Sequence, residues 1–164
     1  MKRIINIGNK KQAIKDLEQF KNKHYEAIDI EFTNVHLLKL NKLIGYNFFK
    51  KNSLYVHSST LWEIMQPVGK TGKHHYHGLE PMEIIDSLEA LVNCLLIYET
   101  NPNRYAVLVL GNEKYQNIAV VIELNAGLSN DRFANINKVV TIFPKDNLDK
   151  KIIHIPVDKI VYKK

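Results

Sequence analysis

The stretch Tyr105-Ala106-Val107-Leu108-Val109-Leu110, the turn residues Gly111-Asn112-Glu113, and then Ile118-Ala119-Val120-Val121-Ile122-Glu123-Leu124 decide the fold class. Each run is short, apolar and rich in β-branched residues, and a Gly-Asn pair between two such runs predicts a hairpin. Further strands are expected on either side. Leu96–Glu99 precedes the hairpin and ends at the turn Asn101-Pro102-Asn103. Val139–Phe143 follows it, is broken by Pro144, and Lys159–Tyr162 closes the sheet.

Upstream the apolar spacing changes to that of helices. Ala13, Ile14, Leu17 and Phe20 recur at three-to-four spacing and predict a helix over Lys10–Lys23. Val35–Phe49 predicts a second, interrupted near Gly45. After a short strand at Leu54–His57, Ser58, Ser59 or Thr60 is expected to cap a helix through Leu61–Met65 that Pro67 ends. The clearest helix has Pro81 in its first turn, Glu80 and Glu83 at its positive end, and an apolar face of Ile84, Ile85, Leu88, Leu91, Val92 and Leu95. Helices first and strands last predict an α+β fold with N-terminal helices against an antiparallel β-sheet. Residues 1–52 are read as an N-terminal helical layer and 53–164 as the main domain, together one compact unit.

A hydrophobic share of 45% in 164 residues excludes a disordered chain. Apolar runs stay well short of the ~18 residues of a spanning helix, so no membrane association is expected. Ile4-Ile5-Asn6-Ile7-Gly8 is too short for a signal-peptide core. The single Cys94 excludes an internal disulfide and a cysteine-based zinc site, and reads as a small packing residue. Residence in the cytoplasm is the expectation.

The net charge of +6 is uneven: residues 1–51 carry eleven basic and five acidic side chains, 52–137 five and nine, and 138–164 seven and three. Basic flanks suit an anionic partner such as RNA, although a lysine-rich solvated surface has the same composition. Among the 23 basic residues only Arg3, Arg104 and Arg132 are arginines, which disfavours bidentate reading of duplex bases.

The densest chemical feature is Lys73-His74-His75-Tyr76-His77. Two imidazoles can serve as general base and acid for RNA transesterification, in which the 2′-hydroxyl is the nucleophile. Exposed loop histidines and a zinc site are the competing readings; the His-Glu-x-x-His spacing is absent, so no metal and no cofactor are expected. Thr141 and Lys145 bracket Phe143-Pro144, where a hydroxyl and an ammonium can meet a phosphate, but equally suit a strand and a solvated loop. Glu123 reads as a solvent-facing edge residue and Trp62 as core. Tyr162 can stack on a base or simply pack.

The order of these segments resembles a phage domain family. Leu54-Tyr55-Val56-His57-Ser58-Ser59-Thr60-Leu61, then Gly72 to Pro81, Leu95-Leu96-Ile97-Tyr98, the two hairpin strands, Val139 to Lys145 and Ile160-Val161-Tyr162 look like the phage branch of the barnase/EndoU/colicin/RelE-like (BECR) nucleases, found at the C-termini of MuF-type head proteins and polymorphic toxins. The resemblance covers residues 53–164 and implies a twisted sheet with an RNA-cleaving site on its face. His77, with His74 nearby, matches the family's loop histidine, and Thr141 and Lys145 its late-strand hydroxyl and base. Tyr76 stands where the family commonly has lysine, and the usual proline after the helix is replaced around Asn93-Cys94-Leu95. The expectation is thus a toxin-like or phage-delivered, metal-independent endoribonuclease in a bacterial host. His77, His74, Thr141 and Lys145 would be catalytic, Lys73, His75 and Tyr162 would bind RNA, and an immunity or antitoxin protein is a possible partner. The rival is a non-catalytic phage accessory protein that uses the same fold to bind a protein or nucleic acid.

Overall fold

A computed structural model describes residues 2–22, 27–45, 47–67, 76–112, 114–128, 131–145 and 154–164. The strands are β1 (Lys2–Asn6), β2 (Asp29–Thr33), β3 (Ser53–His57), β4 (Leu96–Asn101), β5 (Arg104–Leu110), β6 (Asn117–Leu128), β7 (Asp131–Pro144) and β8 (Ile160–Lys163). The helices are α1 (Lys10–Lys21), α2 (Leu37–Ile44), α3 (Ser58–Met65) and α4 (Pro81–Glu89). All eight strands join one sheet in the order β1-β2-β3-β7-β6-β5-β4-β8. Pairing is parallel at β1–β2 and β3–β7 and antiparallel elsewhere. The fold is α+β with a mostly antiparallel sheet.

The expected N-terminal helical layer is half strand. β1-α1-β2 is a crossover unit that extends the sheet, and α1 and α2 cover its face. The signal is present in Asp29-Ile30-Glu31-Phe32-Thr33: Ile30 and Phe32 are buried, while Glu31 and Thr33 are partly exposed. Five residues with two acids do not stand out as a strand until a neighbour supplies the hydrogen bonds, here β3 and β1. The second predicted helix is shorter than Val35–Phe49 because Gly45, at φ +93°, ends it in the left-handed region.

Strand alternation sorts the apolar residues onto two faces. Ile97, Val107, Val109, Ile118, Val120, Ile122, Val139 and Ile142 pack with α1, α3 and α4 residues such as Leu17, Leu61, Ile64, Ile84 and Leu88. Leu96, Tyr98, Ala106, Leu108, Ala119 and Val121 form a separate cluster on the opposite face. Burial on both faces explains why β5 and β6 read as apolar throughout. Cys94 is fully buried in the main core, and that burial pushes its thiol pKa up to about 11.

The α4 start follows its sequence signal. Glu80 N–H donates to Glu83 Oε1 at 2.9 Å, and Asn112 Nδ2 donates to Glu83 Oε2 at 2.8 Å, which satisfies a buried carboxylate. At α3 the cap differs from expectation. His57, not a hydroxyl residue, is the N-cap, its Nδ1 accepting from Ser59 N–H at 3.2 Å. Ser58 is drawn inward instead, its Oγ accepting from Ile28 N–H at 3.1 Å. Among the described residues no helix is long and apolar enough to cross a membrane, which leaves strand-built membrane proteins unaddressed.

Candidate functional site

The site grows from a split in the sheet. β3 meets β7 where Tyr55 faces Lys138, and the chain then leaves the sheet as α3. The C-terminal half of β7 therefore runs beside a helix. On β7 the register shifts by one residue, Val121 facing Thr141 but Ile122 facing Val139. This bulge at Val140 re-phases the strand. Val139 and Ile142 both enter the helix-covered core, while Val140 and Phe143 pack on the other face.

Between α3 and this part of β7 lies a groove of about 490 Å³, lined by Thr60, Glu63, Ile64, His77, Val140, Thr141 and Phe143. That volume suits a nucleotide-sized ligand, and apart from Ile64 the lining residues are partly exposed, as an open groove requires. Thr60, Glu63 and Ile64 sit one helical turn apart and share a face of α3. His77 reaches the groove because its segment is tied to the end of that helix. His77 N–H donates to Glu63 O at 3.4 Å, Gly78 N–H to Gln66 O at 2.8 Å and Leu79 N–H to Ile64 O at 3.0 Å. The bonds to Ile64 O and Gln66 O satisfy carbonyls at the helix end, while Glu63 O also accepts from Gln66 N–H at 3.3 Å. Gly78 has φ +65°, a conformation that costs an L-residue energy.

Aromatic contacts set the two sides of this segment. The His77 ring lies 5.7 Å from that of Phe143, centroid to centroid. Tyr76 meets Trp62 edge-on at 5.5 Å. Trp62 is therefore a half-exposed platform for the histidine segment, not the core residue expected. The far end of the segment is also held. Gln66 Nε2 donates to Lys21 O at 3.0 Å, and Lys21 Nζ pairs with Glu80 at 2.8 Å.

The expected site residues divide accordingly. His77 and Thr141, 64 positions apart in sequence, line one groove. Lys145 is not among its lining residues. Its ammonium donates to the Tyr98 hydroxyl at 2.5 Å, on the sheet face adjoining the groove. Tyr162 stands on β8, paired with Ile97 and packed against the helix-covered core, near the sheet edge away from β7. It packs rather than offering a ring to the groove. Lys73, His74 and His75 lie outside the described residues. Glu123 is not at an edge: β6 is an interior strand, and Arg104 Nε donates to Glu123 Oε1 at 3.0 Å across β5–β6.

Sequence reasoning passed over Glu63 and Thr60 as groove residues. Glu63 sits in an otherwise apolar helical run and resembles any solvated glutamate. A hint was available in its spacing, because Thr60 and Glu63 fall on the helix side next to buried Ile64. The groove thus holds a carboxylate, an imidazole and hydroxyls against an aromatic wall, a set able to take and give protons around an anion. Among the described residues no group of three or more His, Cys, Asp or Glu side chains is arranged to hold a metal ion. No family model matches the chain, and no curated protein or solved structure shows significant similarity to it.

Proposed function

We propose that the chain is a metal-independent endoribonuclease of the BECR type, toxin-like or phage-associated, that cleaves RNA by 2′-hydroxyl transesterification. The observation that carries this reading is the convergence of Glu63, His77 and Thr141 on one nucleotide-sized groove. A carboxylate and an imidazole are side chains suited to the roles of general base and general acid. Glu63 then accepts the 2′-hydroxyl proton as the oxygen attacks phosphorus, and His77 gives a proton to the departing 5′-oxygen. Thr141 donates a hydrogen bond to a non-bridging oxygen, and Phe143 offers an apolar wall to a base. The basic flanks of the chain favour encounter with RNA. The assignment to that family, the cytoplasmic setting and an immunity protein as partner follow from the resemblance described for residues 53–164.

Purified protein with single-stranded RNA in a chelator should yield 2′,3′-cyclic phosphate ends, with a bell-shaped pH profile. Glu63→Gln and His77→Ala should each slow cleavage by ~10²–10⁴-fold. Intact RNA between about pH 5 and 9, or a His77→Ala protein as fast as wild type, overturns the reading. One observation favours the non-catalytic alternative: among the described residues the groove lining includes neither lysine nor arginine. A protein that binds RNA or another protein through this groove and leaves RNA intact fits that outcome.

A further inference from the structure

We propose that the outer face of α2, with the loop that follows it, docks an acidic amphipathic helix of a partner protein. The proposal stands apart from the ribonuclease reading and uses none of the residues that line that groove.

The first observation is a second groove, built on this helix. Its volume is about 610 Å³, and Leu38, Asn41, Lys42, Gly45 and Asn47 line it. Leu38, Asn41, Lys42 and Gly45 recur at i, i+3, i+4 and i+7, which is one face of a helix. The wall beyond the helix is tied back to it. Asn41 Oδ1 accepts from Phe48 N–H at 3.0 Å and from Phe49 N–H at 2.8 Å, and Asn41 Nδ2 donates to Phe49 O at 2.7 Å. Phe49 is itself buried in the core. Among the described residues, a Cβ at Gly45 would meet no atom within 4 Å, so that end of the groove stands open.

The second observation is apolar exposure on the same helix. Leu37 and Leu40 are buried, whereas Leu38 and Leu43 are 41% and 44% exposed. At about 100° per residue, Leu38, Lys42, Lys39 and Leu43 follow one another around the outer arc. One exposed leucine is ordinary, but two flanking a pair of lysines on a helix of eight residues form a patch.

The third observation is charge, and it selects the occupant. Between Glu31 and Glu63 the sequence has no Asp or Glu, yet it has Lys39, Lys42, Lys50 and Lys51. Among the described residues none of these four lysines has an ion pair, whereas Arg3, Lys10, Lys21, Arg104 and Lys159 each meet a carboxylate. A phosphate backbone would use the lysines and leave both leucines in water. A helix with apolar residues at i, i+4 and i+7 and acids beside them uses leucines and lysines together. The face is only about 12 Å long at ~1.5 Å per residue, which suits a short helical segment held with micromolar affinity.

The test uses the full chain and a synthetic helical peptide of about four turns, with leucines at i, i+4 and i+7 and glutamates flanking them. By fluorescence anisotropy it should bind with a Kd on the order of 10 μM, and a shuffled peptide of the same composition at least about 10-fold more weakly. Leu38→Gln with Leu43→Gln keeps helix propensity and should cost about 10-fold at an unchanged melting temperature. Lys39→Gln with Lys42→Gln should cost about as much and flatten the salt dependence. Gly45→Asn, which tolerates the left-handed backbone, puts a side chain into the groove and should weaken binding several-fold. The proposal is overturned if the peptide does not bind by about 1 mM, if the shuffled peptide binds equally well, or if the leucine pair can be replaced without loss. The shuffled peptide is read on the wild-type chain, so a folding defect cannot imitate that result. A 2′-deoxy oligonucleotide that displaces the peptide and needs the lysines but not the leucines would make this a nucleic-acid surface, which also overturns the proposal.

Discussion

The two faces of the sheet are built to different rules from the same strands. The face under α1, α3 and α4 is set with Ile and Val, fully buried and without a polar side chain between them in β5 and β6. The opposite face has Leu96, Ala106, Leu108, Ala119 and Val121 at its centre, also buried, with the polar-tipped Tyr98, Thr141 and Lys145 around them. Large branched side chains contribute most of the buried apolar area, at ~25 cal/mol per Å². The second face mixes smaller side chains with leucines and admits polar tips only at its margin. Both faces therefore bury apolar area, and the candidate chemistry sits at the margin between them, where the Val140 bulge carries β7 past α3.

A reciprocal pair of substitutions tests that division most severely. Val139→Thr puts a hydroxyl into the covered core and should destabilise the protein by ~1–3 kcal/mol in denaturant titration. Thr141→Val, the reverse change two residues on, should leave stability within ~0.5 kcal/mol and reduce RNA cleavage roughly 10-fold. Equal stability losses at both positions would mean that the faces are not distinct.

A smaller effect is expected where the two faces share a support. His57 caps α3, whose inner side joins the covered core and whose outer side borders the groove. His57→Ala should cost ~1 kcal/mol in thermal or chemical melts, and His57→Asn, a good cap, should recover most of it. Failure of the asparagine to rescue would assign His57 a role other than capping.

The smallest effects concern single groups. Cys94, with its thiol pKa at about 11, should resist a thiol reagent at pH 8 in the native state and react once the chain is unfolded. Rapid native reaction would contradict the packing of the covered face. At its rim, Lys159 bonds Glu99 and holds that carboxyl below its ordinary value. The contribution is therefore present above the ordinary carboxylate range and lost as pH falls through the folded value. A Glu99→Gln protein should differ slightly from wild type in melting temperature at neutral pH and converge with it in acid. Divergence that grows in acid would reverse the sign.

Much of this was legible in the chain itself. Gly-Asn between two β-branched runs, Pro81 beside Glu80 and Glu83, and the three-to-four spacing of Ala13, Leu17 and Phe20 are local signals, and each element formed where its residues predict. The β1-α1-β2 unit was not, because a five-residue strand containing Asp29 and Glu31 has no identity without partners. Within the candidate site, His77 and Thr141 were singled out by residue type and by the order of segments. Glu63 was hidden because helical neighbours say nothing about which exposed side chain faces a groove.

By itself the sequence determined the α+β class, the number and place of the late strands, the burial of Cys94 and the histidine segment ahead of α4. Only the tertiary structure decided that β7 bulges at Val140, that β3 yields its place beside β7 to α3, and that Lys145 turns to Tyr98 while Tyr162 packs on β8. The reason is range. Periodicity and turn chemistry act over a few residues, whereas the groove brings together residues 63 to 83 positions apart, which meet only once the sheet has chosen its register.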